Sequence, residues 1–167
     1  MRTPICEICL KSGILCPGCQ EKLASGEISQ LDVDMSKLLY RIVNQYNVPK
    51  DFRFVKAYEF EDLIVLIVGK DDVGAIVGKG GKILKILQKE FHNKIRVIED
   101  TNDIRKMAED LLFPARIVGV NIIFLPEGKR KRIRISQEDT KRLPIELKAA
   151  EGIIKALTGE DITITVD

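Results

Sequence analysis

Tryptophan is missing from this chain, histidine occurs once, and the aromatic residues together make up 5%. A surface that stacks bases on several exposed rings is therefore not expected. The single histidine, His92, stands beside Asn93 at the end of a helical pattern and reads as a surface residue. No Ser/His/Asp set and no carboxylate pair in a supporting context accompany it, so neither an enzymatic activity nor a small-molecule substrate is expected. Asp71-Asp72 reads instead as a cap for the helix that follows. Long apolar runs are lacking too. The longest, Leu63–Val68, is too short to span a bilayer and is flanked by charge, which argues against a membrane partner. Residues 1–19 hold no leader-like apolar stretch. A soluble, cytoplasmic protein is the expectation. Nor is there a large excess of one charge: 27 Lys and Arg face 25 Asp and Glu, a net +2. Any site for a polyanion must therefore be a local patch.

The 167 residues leave room for one ordinary domain or two very small ones plus an appendage. Apolar residues are 45% and charged residues 31%, enough for a buried core under a solvated surface.

All four cysteines lie at the front of the chain, as Cys6-Glu-Ile-Cys9 and Cys16-Pro-Gly-Cys19. A Cys-x-x-Cys turn brings two thiolates to one side of a tight loop, and two such turns close a tetrahedral site with no open position. That is the chemistry of a structural Zn2+ held by Cys6, Cys9, Cys16 and Cys19. Two disulfides, a redox dithiol or a rubredoxin-like iron site are the alternatives. A cytosolic setting disfavours the first, a strand-to-helix context for the second is not evident, and Leu10 and Gln20 stand where the third usually has glycine. The short spacing predicts a compact knuckle or stubby ribbon that needs its metal to fold. Gln20–Asp32, with Ser25-Gly26, reads as a polar connector with room for a helical turn, holding a tethered module that either docks on the body or stays mobile.

The rest is one pattern written twice. From Asp32 or Asp34, apolar residues recur at helical spacing to Tyr46, and Asn47 and Pro49 stop the run. Phe52–Phe60 and Leu63–Gly69 form a hairpin around Glu61-Asp62. A short helix at Val73–Val77 leads to Gly78-Lys79-Gly80-Gly81, a further helix carries Ile83, Ile86, Leu87 and Phe91, and Ile95–Glu99 is a strand. The order is α-β-β-α-α-β. It returns as a helix stopped by Phe113-Pro114, a hairpin of Arg116–Leu125 with Arg130–Ser136, a short helix at 138–143, a helix closed by Gly159, and a strand Ile162–Val166. The single shift that lays Leu66 on Ile133 also lays Val68 on Ile135, Asp72 on Asp139, Leu87 on Ile154 and Val97 on Ile164. An internal duplication explains this better than chance alternation. The positions beneath Gly78–Gly81 are Ile145, Glu146, Leu147 and Lys148, so the second copy lacks the glycine loop. The fold class is α+β, with boundaries at 1–32, 33–100 and 101–167.

Glycines at 78, 80 and 81 permit positive φ and leave no Cβ to hold a ligand away. The amides of Gly80, Gly81 and Lys82 fall at the start of a helix, where an anion is favoured. Lys79, Lys82, Lys85 and Lys89 add positive charge, and Gly74 lets a chain pass close to the preceding helix. A nucleotide-binding P-loop is excluded by the glycine spacing and by Gly80 in place of Ser or Thr.

The segment Val73-Gly74-Ala75-Ile76-Val77-Gly78-Lys79-Gly80-Gly81-Lys82-Ile83 resembles the KH domain core, whose GxxG loop clamps single-stranded RNA by its backbone. The α-β-β preceding the loop resembles the type II variety, and two units in tandem resemble the KH portion of NusA transcription factors, the archaeal NusA-like proteins in particular. The resemblance spans roughly residues 33–167. It implies single-stranded RNA as ligand, a role in transcription elongation or termination, and RNA polymerase as a partner. It also implies contacts from Gly74, Ile76, Val77, Gly78, Lys79, Gly80, Gly81, Lys82 and Lys85, with bases on an apolar groove of Ile76, Val77, Ile83 and Ile86. A ribosome-associated factor, or an adaptor that uses the cysteine module and the second unit to bind protein, are the competing expectations.

One basic run stands outside this pattern: Lys129-Arg130-Lys131-Arg132-Ile133-Arg134. Strand alternation turns Ile133 and Ile135 to the core and Arg132 and Arg134 away. Those charges suit either a solvated face guarded against edge pairing or an extension of an RNA surface.

Overall fold

The computed structural model describes residues 1–167 apart from the side chain of Lys79. The chain forms two compact units, Met1–Asp100 and Thr101–Asp167. Among the described residues no helix is long and apolar enough to cross a membrane.

The first unit begins with two short helices, α1 (Glu7–Ser12) and α2 (Pro17–Ser25), then the longer α3 (Gln30–Gln45). The connector is largely helical, with residues 30–32 in α3 and residues 20–25 in α2. Pro17 starts that helix at its first position, and Gly26, with φ 81°, ends it in the left-handed region. Ile5, Cys9, Leu10, Cys19, Ile28 and Val33 then bury one shared cluster, which seats the cysteine segment on the face of α3. No strand ribbon forms there.

Helix α3 also starts earlier than its apolar stripe suggests. Ser29 caps it by accepting from the Asp32 N–H, and the Asp32 carboxylate accepts from the Ser29 N–H in return. This reciprocal box satisfies two amides that the helix cannot. The same carboxylate, fully buried, takes the Ala57 N–H at 2.8 Å and the Lys56 ammonium at 3.1 Å. Asp32 thus ties the start of a helix to the strand beside it.

Strands β1 (Phe54–Phe60) and β2 (Leu63–Val68) form the antiparallel hairpin. After α4 (Val73–Val77), the turn Lys79–Gly81 and α5 (Lys82–Phe91), strand β3 (Lys94–Glu99) runs parallel to β2. The sheet order is β1-β2-β3. Met35, Leu39, Ile42, Phe52, Phe54, Leu66, Ile76, Leu87 and Val97 belong to the core between the helices and this sheet. His92, with φ 51°, takes the left-handed position that ends α5.

The second unit repeats the plan with α6 (Ile104–Leu112), β4 (Ile117–Leu125), β5 (Gly128–Ile135), a 3-10 segment Gln137–Arg142, α7 (Leu147–Thr158) and β6 (Ile162–Val166). Its sheet order is β4-β5-β6. The duplication holds in the hydrogen bonding. Leu66 pairs with Val97, and their counterparts under the same shift, Ile133 and Ile164, pair with each other. The Asp100 N–H donates to the Val68 carbonyl and the Asp167 N–H to the Ile135 carbonyl, at 2.8 and 2.9 Å. Both hairpins carry a register shift at the start of their first strand, Phe54/Lys56 and Ile117/Gly119.

Asp72 does not cap α4 with its side chain, as its position before the helix suggested. Its carboxylate accepts from the Arg53 N–H at 3.1 Å, and Asp139 accepts from the Arg116 N–H at 2.9 Å in the same place of the second unit. The pair fastens the strand entry to the turn after the hairpin. That long-range demand overrides local capping.

Candidate nucleic-acid interface and metal centre

The four cysteines converge. Their sulfur atoms all lie within 4.8 Å of one another, with Cys6 and Cys9 Sγ 3.3 Å apart and Cys6 and Cys16 Sγ 3.8 Å apart. A tetrahedral thiolate site at about 2.3 Å per bond sets its sulfurs about 3.8 Å apart, whereas a disulfide needs about 2 Å. The cysteines are free thiols in an arrangement that a metal ion fits.

Local structure explains the convergence. Cys6 and Cys16 occupy the N-cap positions of α1 and α2 with nearly the same backbone angles, φ −73° and ψ 164° against φ −72° and ψ 165°. Cys9 and Cys19 follow one turn later. The relation is reciprocal: the Cys6 N–H donates to Cys19 Sγ and the Cys16 N–H donates to Cys9 Sγ. Amides and helix N-termini directed at sulfur favour the thiolate. The Cys19 N–H, donating to Cys16 Sγ, leads the effects that bring that thiol down to about 7. Cys9 accepts from the Cys16 N–H, yet burial and its three thiol neighbours push it up to about 12. Four sulfurs crowded in one place cannot all ionise without a cation among them.

The glycine loop joins α4 to α5. Gly78 leaves the helix at φ −34° and ψ −157°, and Gly80 and Gly81 follow at φ 71° and φ 61°. A Cβ on Gly78 would lie 2.6 Å from the Gly74 carbonyl oxygen, so the turn admits only glycine there. At Gly74, Gly80 and Gly81 a Cβ would meet nothing within 4 Å. These three glycines border open space. The loop expectation needs one correction: the Gly81 N–H is occupied by the Gly78 carbonyl at 2.8 Å. The amides left for an anion belong to the start of α5, whose first N–H groups lack intrahelical acceptors.

The side chains named from the sequence divide. Gly74, Gly78, Gly80, Lys82 and Lys85 are exposed, and Gly81, Val77, Ile83 and Ile86 are half-buried along one side of the loop and α5. Ile76 is 1% exposed and lies in the core, so it supports the groove from below and does not line it. The side chain of Lys79 lies outside the described residues. Sequence reasoning placed Tyr46 on the buried stripe of α3 and missed its second contact. Its ring carries the Lys82 ammonium 5.0 Å from the centroid. Nothing in the sequence links residues so far apart.

The KH domain family matches residues 63–112, from β2 through the glycine loop to the end of α6. A protein of Methanocaldococcus jannaschii named "Probable transcription termination protein NusA" is 29% identical over 96 residues, covering 53% of this chain and 52% of that protein. A protein of Methanococcus vannielii with the same name is 32% identical over 60 residues, covering 36% of this chain and 35% of its own length. The chain thus spans about half the first relative and a third of the second. The solved structure of APE1850 superposes at TM-score 0.48 with 20% identity, over 64% of this chain and 79% of that one. Glycine-loop geometry and family match fall on the same residues: residues 63–112 match the KH domain family, and the chain is similar to archaeal NusA proteins.

Proposed function

We propose that this chain binds single-stranded RNA at the Gly78–Gly81 loop and acts in transcription elongation or termination beside RNA polymerase; the names of its relatives support the termination role alone. The role is one of binding, without catalysis. The observation that carries it is the glycine turn: exposed, open around Gly74, Gly80 and Gly81, and followed by a helix start with Lys82 and Lys85 on its surface. A sugar–phosphate strand can approach such a backbone closely, meeting amides and cations where a Cβ would otherwise stand. The half-buried Val77, Ile83 and Ile86 offer the apolar groove for bases. The four-cysteine centre would hold Zn2+, a thiolate-loving ion with no demand for an open position, in a structural role.

Replacing Lys79 and Gly80 together by Asp tests the loop. The expected result is loss of oligoribonucleotide binding in a chain that still folds, its melting temperature lowered by a few degrees because Gly80 stands at φ 71°. A folded double variant with wild-type affinity would refute the assignment.

An adaptor role is the second reading, favoured by Ile8 and Ile14, which are 73% and 74% exposed on the cysteine module. Replacing both by Ser while RNA affinity is followed separates the two. Loss of polymerase or ribosome co-purification with RNA binding intact would make the module the docking element.

A further inference from the structure

Strand β5 lies in the middle of its sheet, between β4 and β6. Edge protection therefore does not account for the arginines it carries. Ile133 and Ile135 are fully buried on the helix-covered face, so Arg130, Arg132 and Arg134 form a column on the opposite face. Ile123 stands beside Arg130 on that face, and the neighbours of Arg132 and Arg134 are polar or small. Arg132 stands between Asn121 and Thr163, and Arg134 between Gly119 and Thr165. A Cβ on Gly119 would come within 2.5 Å of the Arg134 guanidinium, so the glycine leaves that group room to lie flat on the sheet.

The first unit has no such column. At the equivalent positions of the repeat it has Leu63, Val65 and Ile67. The copy that lacks the glycine loop is the one with arginines here. Arg134 is held by Asp167 at 2.7 Å and Arg130 feels the charge of Asp161, whereas among the described residues no carboxylate forms an ion pair with Arg132. The Nε atoms of Arg132 and Arg134 are buried and without a protein partner. Leaving charged donors unsatisfied on a central strand is costly unless a ligand meets them.

We propose that this column is a second binding site for single-stranded RNA, contacted through its phosphates. Alternate residues of one strand are about 6.7 Å apart, close to the phosphate repeat of an extended nucleic-acid strand. Guanidinium groups pair with phosphate oxygens bidentately, and Asn and Thr side chains add the neutral hydrogen bonds that backbone contacts commonly use. An apolar protein partner does not fit a face where guanidinium, amide and hydroxyl groups surround Arg132 and Arg134 and Ile123 alone is apolar beside Arg130. The column belongs to the second unit and the glycine loop to the first, and the proposal gives both the same ligand.

The test uses the full chain and a fluorescent oligouridine, with affinity measured across a salt series for the wild type, Arg130→Gln/Arg132→Gln, Arg130→Lys/Arg132→Lys and Gly80→Asp. Each lost phosphate contact lowers the salt slope by about 0.7. The Gln pair is expected to lower it by roughly 1.4 and to weaken binding about ten-fold at low salt, while the Lys pair keeps most of the slope. Melting temperatures should stay within a few degrees, since neither arginine holds the core. An unchanged slope in the folded Gln pair would overturn the proposal. So would displacement of the RNA by an oligoglutamate as effective as unlabelled RNA of equal charge, which would make the face a dock for acidic protein. If Gly80→Asp binds as the wild type while the Gln pair does not, the loop reading fails and the column stands.

Discussion

Lys82 stands over the ring of Tyr46, its ammonium 5.0 Å from the centroid, so the first cation of the helix after the glycine turn is steered by a residue at the far end of α3. An aromatic face orients a cation without neutralising it, and the full charge remains for a phosphate. Tyr46→Phe should keep wild-type RNA affinity. Tyr46→Leu should weaken it two- to five-fold, the equivalent of about 0.5–1 kcal/mol. Equal affinities for the Leu and Phe variants would show that Lys82 needs no such guide.

Gly74 and Gly78 should respond in opposite ways to alanine. Gly74 is helical with open space at its Cβ, so Gly74→Ala is expected to stabilise the first unit by about 0.5–1 kcal/mol. The same methyl fills the space where a strand would pass, and RNA affinity should drop. Gly78→Ala forces a Cβ against the Gly74 carbonyl and should cost about 1–3 kcal/mol. Thermal unfolding and RNA titration of the two variants check both signs. A stabilised Gly74→Ala protein that binds RNA normally would remove Gly74 from the interface.

The buried Asp32 holds together the Ser29 cap, the Ala57 amide and the Lys56 ammonium. Asp32→Ala leaves buried donors without acceptors and should destabilise the first unit by about 3 kcal/mol. Urea unfolding measures this directly. A loss below ~1 kcal/mol would mean that water replaces the carboxylate.

Asp139 gives the second unit an acid-sensitive joint. The Arg116 side chain, then the Arg116 N–H and Arg142, hold its carboxyl well below the usual carboxylate range. A depressed folded value stabilises above the unfolded pKa of about 3.9, and that contribution is lost as pH falls from there toward the folded value. Asp139→Asn should therefore lower stability at neutral pH and flatten the decline below about pH 4. Hydrogen exchange at residues 116–142 across this range follows the second unit alone. An unchanged acid limb in the variant would show that other carboxylates set it.

Metal removal is expected to act locally. A chelator at neutral pH should release one Zn2+ per chain and open α1 and α2, while strands β1 to β3 stay protected from hydrogen exchange. Lower pH should loosen the metal, because protons compete for the thiolates. Metal analysis that finds no stoichiometric zinc in freshly purified protein would argue for another ion.

Spacing alone made much of this legible. Paired Cys-x-x-Cys turns, apolar residues at helical or alternating intervals, and the recurrence of one pattern along the chain depend on local geometry, which a linear pattern records. Glycines 80 and 81 likewise announce a turn, because few other residues accept those backbone angles. Ser29-Gln30-Leu31-Asp32 held a capping signal that the apolar stripe obscured.

Tertiary structure alone decided the rest. It joined Tyr46 to Lys82 and Asp32 to Lys56 and Ala57, and it turned Asp72 from a local cap to a long-range acceptor. It seated the cysteine module on α3 by burying Ile5, Leu10 and Ile28 with Val33. It also put the arginines of β5 on a central strand instead of an edge. Each of these depends on which distant groups meet when apolar surface is buried, and residue order along the chain does not encode that directly. A period of two tells which residues share a face of a strand. Only the assembled sheet tells what, if anything, covers it.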